Sequence, residues 1–135
     1  MLLADDSDDD RTLFQLALRK IPGMRLVNAA HDGDEAIAYL AGRAQFANRE
    51  KFPYPDVLFL DLKMPRVTGF DVLTWLKGEP RKPFVTILSG SEIETDMARA
   101  AALGADTYRV KPSNCEGYIV VLKDIHELLR SRPPA

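Results

Sequence analysis

The sequence predicts a single α/β domain built as a three-layer α/β/α sandwich. Short apolar runs alternate with segments of helical periodicity, and this alternation is typical of repeated β-α units around a parallel sheet. The chain has 135 residues, of which 46% are hydrophobic, which is enough to bury a core without disulfides or structural metals. Polar residues that directly follow four of the apolar runs indicate where a site would form.

Strands and helices are predicted in strict alternation along the chain. Right-handed crossovers leave few topologies, and among them we expect the flavodoxin-like (βα)5 arrangement with the parallel sheet order 2-1-3-4-5. We place the domain at residues 1–132 and a C-terminal tail at 133–135. The predicted strands cover residues 1–5, 25–30, 56–60, 84–88 and 107–110, and the predicted helices cover 7–20, 33–42, 68–77, 92–103 and 116–131.

Local chemistry supports two of the helix starts. Ser7 precedes a run of aspartates from Asp8 to Asp10, so a side-chain cap and acids in the first turn both favour a helix N-terminus there. Ser91 and Glu94 form the S-x-x-E pattern of a capping box, which predicts the start of the fourth helix.

The connection between the second helix and the third strand, Gly42 to Pro55, exceeds the usual length of such links. It carries basic residues beside the aromatic side chains of Phe46, Phe52 and Tyr54. Two interpretations stay open: a docking loop, or an extension of the second helix with a solvated tail, which loop-length statistics favour.

Composition and charge exclude several classes of protein. The formal net charge of -2 and the pI of 5.7 argue against nucleic-acid binding, which needs a basic face. No apolar run approaches the roughly 20 residues of a membrane span, and we expect neither a signal peptide nor membrane attachment. Cys115 is the single cysteine, so no internal disulfide forms and we expect a reducing, cytoplasmic setting.

Polar residues follow four of the predicted strands. Asp5 and Asp6 come after the first strand, Asp61 after the third, Ser89 after the fourth and Lys111 after the fifth. Each signal alone is weak, since acids before a helix are most often capping charges. Ligands of open parallel sheets bind outside the carboxyl ends of the strands, where strand order reverses. The convergence of these residues therefore predicts a site for Mg²⁺ and a phosphoryl group.

The acidic residues are the predicted metal ligands. Crowded carboxylates repel one another unless a cation joins them, and Mg²⁺ takes one or two carboxylates together with water and phosphate oxygens. We expect Asp6 and Asp61 to bind the ion directly and Asp5 to act through water. The backbone carbonyl of Lys63, just past Asp61, is expected to complete the shell.

The remaining polar groups are expected to bind the phosphoryl oxygens. Lys111 offers a positive charge, Ser89 a hydroxyl hydrogen bond, and Gly90 a backbone amide. Phosphoryl transfer needs little beyond such positioning and charge neutralisation.

These residues lie in motifs that resemble the receiver domain of two-component response regulators. The resemblance runs from Leu2 to the last helix. The second motif is the most specific, because Asp61 stands four residues before Pro65 and eight before Gly69. The motifs are L-L-A-D-D-S, F-L-D-L-K-M-P-R-V-T-G-F-D-V-L, T-I-L-S-G-S and L-G-A-D-T-Y-R-V-K-P.

The resemblance implies that a sensor histidine kinase phosphorylates Asp61, and that Asp5 and Asp6 bind Mg²⁺. It implies roles for a switch hydroxyl, a phosphate-contacting lysine and a switch aromatic that turns inward on phosphorylation, which here are Ser89, Lys111 and Tyr108. Pro112, directly after the lysine, becomes a candidate for a cis peptide bond. Phosphorylation would then reshape the fourth helix, fifth strand and fifth helix by favouring one of two pre-existing states.

Two further segments resemble a narrower group. The long connection 42–55 and the ending E-G-Y-I-V-V-L-K-D-I-H-E-L-L are similar to stand-alone receivers that pair with bacterial phytochromes and related sensor kinases. A bacteriophytochrome is therefore a candidate kinase. Lys63 departs from the usual pattern by placing a second cation near the phosphate, and we expect it to alter the lifetime of the acyl phosphate.

The resemblance favours a phosphorylation-controlled signalling module that is not an enzyme for separate substrates, and two alternatives compete with it. A hydrolase of the haloacid-dehalogenase type also uses an aspartate nucleophile with Mg²⁺, but it needs an acid two residues later, where this chain has Lys63. A binding module that keeps the fold without phosphorylation is the other alternative.

The last helix predicts self-association. Ile119 and Val120 extend its apolar stripe around the helix, and surplus apolar surface of this kind is usually buried. Since two-fold homodimers are the commonest oligomers, we expect a homodimer through the fourth helix, fifth strand and fifth helix.

Overall fold

The computed structural model describes residues 1–131 and contains a parallel five-stranded sheet with helices on both faces. The strand order is β2-β1-β3-β4-β5. The strands are β1 (Leu2–Ala4), β2 (Asn28–Ala30), β3 (Val57–Leu60), β4 (Phe84–Ser89) and β5 (Thr107–Val110). The helices are α1 (Asp8–Leu18), α2 (Gly33–Ala41), α3 (Gly69–Lys77), α4 (Glu94–Ala102) and α5 (Cys115–Arg130), with a short 3-10 helix (Ala44–Phe46) after α2.

Two hydrophobic cores, one on each face of the sheet, produce the three layers. One core joins α1 and α5 to the sheet through Phe14, Phe59 and Tyr118. The other core lies on the opposite face, where residues of α2, α3 and α4 surround Leu58 and Leu60. Successive residues of β3 thus alternate between the two cores, as a strand buried on both faces requires. The predicted sandwich and its strand order are confirmed.

The β-α units run from Leu2 to Arg130. Within residues 1–131, no helix combines the length and the apolar character needed to cross a membrane. The tail predicted at residues 133–135 lies outside the described residues.

The second strand is shorter than predicted. It covers residues 28–30 instead of 25–30, although the Val27 amide still donates to the Met1 carbonyl at 2.8 Å. The neighbouring strand β1 begins at Leu2, so the apolar residues before Asn28 have no regular ladder to join.

The fourth helix begins later than its sequence pattern predicts. Its N-cap is Ile93, which provides no side-chain cap. The Ser91 hydroxyl instead accepts from the Ile93 amide at 3.3 Å and donates to Asp96 at 2.7 Å. The capping box predicted for Ser91 and Glu94 is therefore wrong, because a local turn and a carboxylate further along the helix use the serine oxygen.

The long connection after α2 is a packed element. Phe46 lies 5.0 Å from Tyr39 and 5.3 Å from Phe52 between ring centroids. Arg49 donates to the carbonyls of Tyr39 and Leu40 at 2.8 and 2.7 Å, so it satisfies the exposed carbonyl end of α2. This segment is thus neither a helix extension nor a solvated tail.

Candidate functional site

The carboxyl ends of four strands deliver the predicted site residues to one edge of the sheet. Asp5 follows β1, Asp61 follows β3, Ser89 ends β4 and Lys111 follows β5. Backbone hydrogen bonds continue the sheet through these positions: the Asp61 amide donates to Ala4 at 3.0 Å, and the Lys111 amide donates to Ser89 at 2.8 Å. The side chains therefore start from fixed backbone positions.

The Lys111 ammonium stands among three carboxylates. Its Nζ atom lies 2.9 Å from Asp5 Oδ2, 3.0 Å from Asp61 Oδ2 and 2.8 Å from Asp10 Oδ2. The side chains of Asp5 and Asp61 are only 2% and 5% exposed. The arrangement holds more negative than positive charge, so it is suited to a further cation.

The acidic residues fit a divalent metal ion. One carboxylate oxygen from each of Asp5, Asp6 and Asp61 lies within 4.8 Å of the others. Oxygens this close together can bind one small divalent ion, and carboxylate oxygens are the ligands that Mg²⁺ prefers. Asp5 and Asp61 are buried while Asp6 is exposed, which leaves one side of the cluster open to water and to a phosphoryl group.

Burial and the shared Lys111 ammonium both act on the pKa values of the site. Burial raises the pKa of Asp5, although hydrogen bonds from the Ser7 amide and Lys111 oppose this shift. Burial alone would lower the pKa of Lys111, but Asp10, Asp5 and Asp61 outweigh it and raise that pKa far above its ordinary value. Three carboxylates stabilise the charged form of Lys111, so its pKa rises. Asp5 shares that single ammonium with two other acids, and the effect of burial on the Asp5 pKa prevails.

Both carboxylate oxygens of Asp61 accept hydrogen bonds. Oδ2 accepts from Lys111 at 3.0 Å, and Oδ1 accepts from the backbone amide of Lys63 at 3.2 Å. The side chain of Lys63 is 61% exposed and pairs with Asp96 at 3.3 Å. Coordination of a metal by the Lys63 carbonyl stays a prediction.

Ser89, Gly90 and Tyr108 lie in or next to the loop after β4. Ser89 is fully buried, and its hydroxyl accepts from the amide of Ser91 at 3.3 Å. The Tyr108 hydroxyl donates to the Ser91 carbonyl at 2.7 Å, and its side chain is half-buried. Gly90 is exposed in an open cleft that Asp61 and Lys111 also line. Gly90 and Lys111 thus line the cleft, and Ser89 and Tyr108 are hydrogen-bonded to Ser91, which also lines it.

Gly69 provides the close packing beneath Asp61. A Cβ atom at this position would lie 2.2 Å from the Asp61 carbonyl oxygen and 2.8 Å from the Leu62 Cα atom. The Gly69 amide also donates to the Leu62 carbonyl at 3.1 Å. Only glycine lets the first turn of α3 press against the backbone that presents the acid.

Asp10 is the site residue that sequence reasoning missed. The sequence indicates only that Asp10 is one of the acids at the start of α1, yet its carboxylate contacts Lys111 at 2.8 Å. Ser7 caps the helix by accepting from the Asp10 amide at 3.2 Å, which confirms that helix start. Since α1 begins at Asp8, the first helical turn carries Asp10 to the sheet edge. The run of acids in the first turn of α1 was the available signal, but it does not distinguish Asp10 from Asp8 and Asp9.

The cis peptide bond expected at Pro112 is wrong. No peptide bond among residues 1–131 is cis, and trans is the lower-energy form of an X-Pro bond. In the trans form the proline ring sits against the first turn of α5, where a Cβ atom on Gly117 would lie 2.4 Å from Pro112 Cβ. The ring and the glycine therefore fit one another in this form.

Comparison with known families agrees with this geometry. Residues 1–123 match the family described as response regulator receiver domain. Protein-glutamate methylesterase/protein-glutamine glutaminase 1 of Methanospirillum hungatei is 35% identical over 114 residues, covering 83% of this chain and 30% of the relative. The chain thus spans less than a third of that relative's length. Response regulator Rcp1 of Synechocystis is 28% identical over 132 residues, covering 96% of this chain and 83% of Rcp1.

Solved structures with the same fold include phytochrome response regulators. The phosphorylated cyanobacterial phytochrome response regulator RcpA superposes with a TM-score of 0.86 at 31% identity, covering 98% of this chain and 94% of RcpA. The Mn²⁺-bound form of Rcp1 gives a TM-score of 0.80 at 28% identity, covering 99% and 97% of the two chains. The resemblance to receivers that pair with phytochromes is therefore confirmed.

Proposed function

Because the chain belongs to the response regulator receiver domain family, we propose that it accepts a phosphoryl group on Asp61 from a sensor histidine kinase. A carboxylate oxygen of Asp61 attacks phosphorus, the P–N bond to the kinase histidine breaks, and the imidazole leaves with its electron pair. The product is an acyl phosphate on Asp61, and no oxidant or reductant is needed.

The arrangement around Lys111 supports this proposal most directly. Its Nζ atom lies within 3.0 Å of a carboxylate oxygen of each of Asp5, Asp10 and Asp61. This contact orients the Asp61 carboxylate before the reaction. Asp5, Asp6 and Asp61 would hold Mg²⁺, with the Lys63 carbonyl as a further ligand. When bound, Mg²⁺ neutralises the charge that develops on the transferred phosphoryl oxygens.

Hydrogen-bond donors at the β4–α4 loop would bind the phosphoryl oxygens and so respond to phosphorylation. Gly90 lines the same cleft as Asp61, and the buried Ser89 hydroxyl is hydrogen-bonded to Ser91 of that lining, so a phosphoryl oxygen would draw both donors toward it. Tyr108 is joined to this loop through the Ser91 carbonyl. Movement of the loop is therefore transmitted to β5, and phosphorylation favours one of two states of the α4-β5-α5 face.

A bacteriophytochrome is the kinase that the comparisons favour. Similar solved structures include a cyanobacterial phytochrome response regulator and a response regulator in red light signalling of R. palustris. Histidine kinases draw on ATP, so we place the phosphotransfer in the cytoplasm.

The test of the proposed function is an intact mass spectrum after incubation with Mg²⁺ and acetyl phosphate. We expect one added phosphoryl group in the wild type and none in Asp61→Asn, because the neutral amide cannot replace the carboxylate as nucleophile. Chelation of Mg²⁺ should also prevent the addition. A phosphoryl group that persists in Asp61→Asn, or its absence from the wild type, would refute the assignment.

Homodimerisation through the α4-β5-α5 face is the second part of the proposal. Met97, Val110 and Val120 are 38%, 40% and 55% exposed on α4, β5 and α5, respectively. Multi-angle light scattering should give a dimer mass for the wild type with beryllofluoride and a monomer mass for Val120→Glu. Leu16→Glu, on the equally exposed but separate face of α1, should remain dimeric. A monomeric wild type with and without the phosphate analogue would exclude the dimer.

A further inference from the structure

An ion pair links the loop that carries Asp61 to the start of α4. Lys63 Nζ lies 3.3 Å from Asp96 Oδ2, and the same carboxylate oxygen accepts from the Ser91 hydroxyl at 2.7 Å. Ser91 in turn bonds Ser89 through its amide at 3.3 Å. Asp96, in the first turn of α4, thus contacts both the β4–α4 loop and the loop that carries Asp61, which we call the acceptor loop.

The first turn of α4 depends on these contacts more than an ordinary helix start does. Its N-cap, Ile93, has no side-chain cap and is 58% exposed. Among the helix residues only Ala100 is buried, so little apolar burial holds α4 in place. The Asp96 contacts to Lys63 and Ser91 are therefore the principal polar attachments of this turn within the described chain.

Lys63 has a second anion within reach once Asp61 is phosphorylated. It stands two residues after Asp61 and lines the same open cleft as Asp61 and Lys111. The site already contains more carboxylates than ammonium groups, and a phosphoryl group adds further negative charge. A doubly charged phosphoryl group attracts an ammonium more strongly than one carboxylate does.

We propose that Asp96 is a positioning residue that holds Lys63 away from Asp61, and that phosphorylation transfers Lys63 to the phosphoryl oxygens and frees the first turn of α4. This mechanism rests on phosphorylation of Asp61, the function proposed above. Phosphorylation would then change α4 through the loss of the Lys63–Asp96 ion pair, without a movement of Ser89 or Tyr108. Asp96 also counterbalances Lys63 in the resting state, so it lowers the affinity of the site for a phosphoryl group.

The first experiment measures the binding of beryllofluoride in the presence of Mg²⁺ by calorimetry. Asp96→Asn keeps an acceptor for the Ser91 hydroxyl but removes the charge that holds Lys63. We expect binding about two- to fivefold tighter, the range that a partly exposed ion pair supports. Glu94→Gln is the matched control, because Glu94 lies in the same first turn of α4 and no ion pair within residues 1–131 joins it to Lys63. The affinity of this variant should change by less than about 1.5-fold.

A double-mutant cycle separates the ion pair from a general effect of charge. In a Lys63→Met background, Asp96→Asn should leave the beryllofluoride affinity unchanged. Equal tightening with and without Lys63, or no tightening in Asp96→Asn, would overturn the role of Asp96. Failure of the wild type to bind beryllofluoride at all would instead count against phosphorylation of Asp61.

Hydrogen exchange provides a readout on the helix itself. The amides of Asp96 and Met97 both donate to the Ile93 carbonyl, at 3.0 and 3.1 Å. Beryllofluoride should speed their exchange at least about threefold in the wild type, as local opening of a helix end does. Asp96→Asn should exchange fast already without the analogue. Unchanged protection in the wild type would overturn the release of α4.

Discussion

A Lys111→Met variant should lose about 2 to 3 kcal/mol of the free energy of unfolding at pH 7 in Mg²⁺-free buffer. The ammonium lies 2.8, 2.9 and 3.0 Å from oxygens of Asp10, Asp5 and Asp61. Its removal leaves these carboxylates facing one another without a counter-charge. The site is open on one side, so the expected loss is smaller than for a fully buried pair. Urea denaturation followed by circular dichroism measures it.

The loss should shrink as the pH falls. Burial already raises the pKa of Asp5 above its ordinary value of 3.8, and removal of Lys111 removes a group that opposes this shift. A carboxyl whose pKa is raised in the folded state destabilises the fold above that pKa, and protonation relieves the penalty. Wild type and variant should therefore converge as the pH falls from 7 through the folded pKa of Asp5. Mg²⁺ at pH 7 should also narrow the difference, because it binds the folded carboxylates.

Lys123→Met is the control for the loss of a positive charge. Lys123 is exposed on α5, so its replacement should change the stability by less than about 0.5 kcal/mol. A loss in Lys111→Met that is equal at low and neutral pH would show that packing of the lysine chain, and not charge, is its origin.

Gly69→Ala should destabilise the fold by about 3 kcal/mol. The new methyl group would lie 2.2 Å from the Asp61 carbonyl oxygen and 2.8 Å from the Leu62 Cα atom. Both are backbone atoms, so no side-chain rotation relieves the overlap and α3 must move away from the acceptor loop. Phosphoryl uptake by Asp61 should slow together with the loss of stability. Thermal unfolding and the intact mass assay measure the two effects.

Gly78→Ala tests whether the effect is specific to the start of α3. Gly78 is the C-cap of the same helix, and a Cβ atom there would meet only the Trp75 carbonyl at an ordinary 3.7 Å. We expect its stability to lie within about 0.5 kcal/mol of the wild type. Equal stability of Gly69→Ala and Gly78→Ala would contradict the close-packing argument.

The sheet was predictable because its central strands are buried on both faces. Val57 to Leu60 are all no more than 4% exposed, so β3 is a continuous apolar run that sequence inspection detects. Strand limits were less predictable. The apolar residues before Asn28 continue the run of β2, but the structure has no regular partner for them. Pairing between distant segments, and not local composition, decides where such a strand begins.

Site residues that follow strands were predictable, because the strand order determines their positions. The site residue on a helix was not, because the rotation of that helix determines which side chain faces the site. Asp5, Asp61 and Lys111 follow strands, and the sheet order brings them together. Asp8, Asp9 and Asp10 are alike as acids at a helix start, and only the helical turn selects Asp10 for Lys111. Asp8 pairs with Arg11 of the same helix instead.

The capping box at residues 91–94 failed for a related reason. The pattern S-x-x-E is present, but the Ser91 hydroxyl bonds Asp96 and Tyr108 takes the Ser91 carbonyl. A carboxylate further along the helix and the Tyr108 side chain of β5 therefore fix this segment as a turn. The S-x-x-E pattern does not show which of several nearby polar groups the serine will use.

The contact between Lys111 and Asp10 joins residues 101 positions apart in the sequence. A chain divided between α3 and β4 would therefore carry the aspartates of the site in one fragment and the lysine in the other. The fragments would present opposite charges at the edge where they must meet, and such complementarity speeds association. This boundary is accordingly the natural division for a split-protein reporter, whose reassembly would restore the acidic site and its counter-ion in one step.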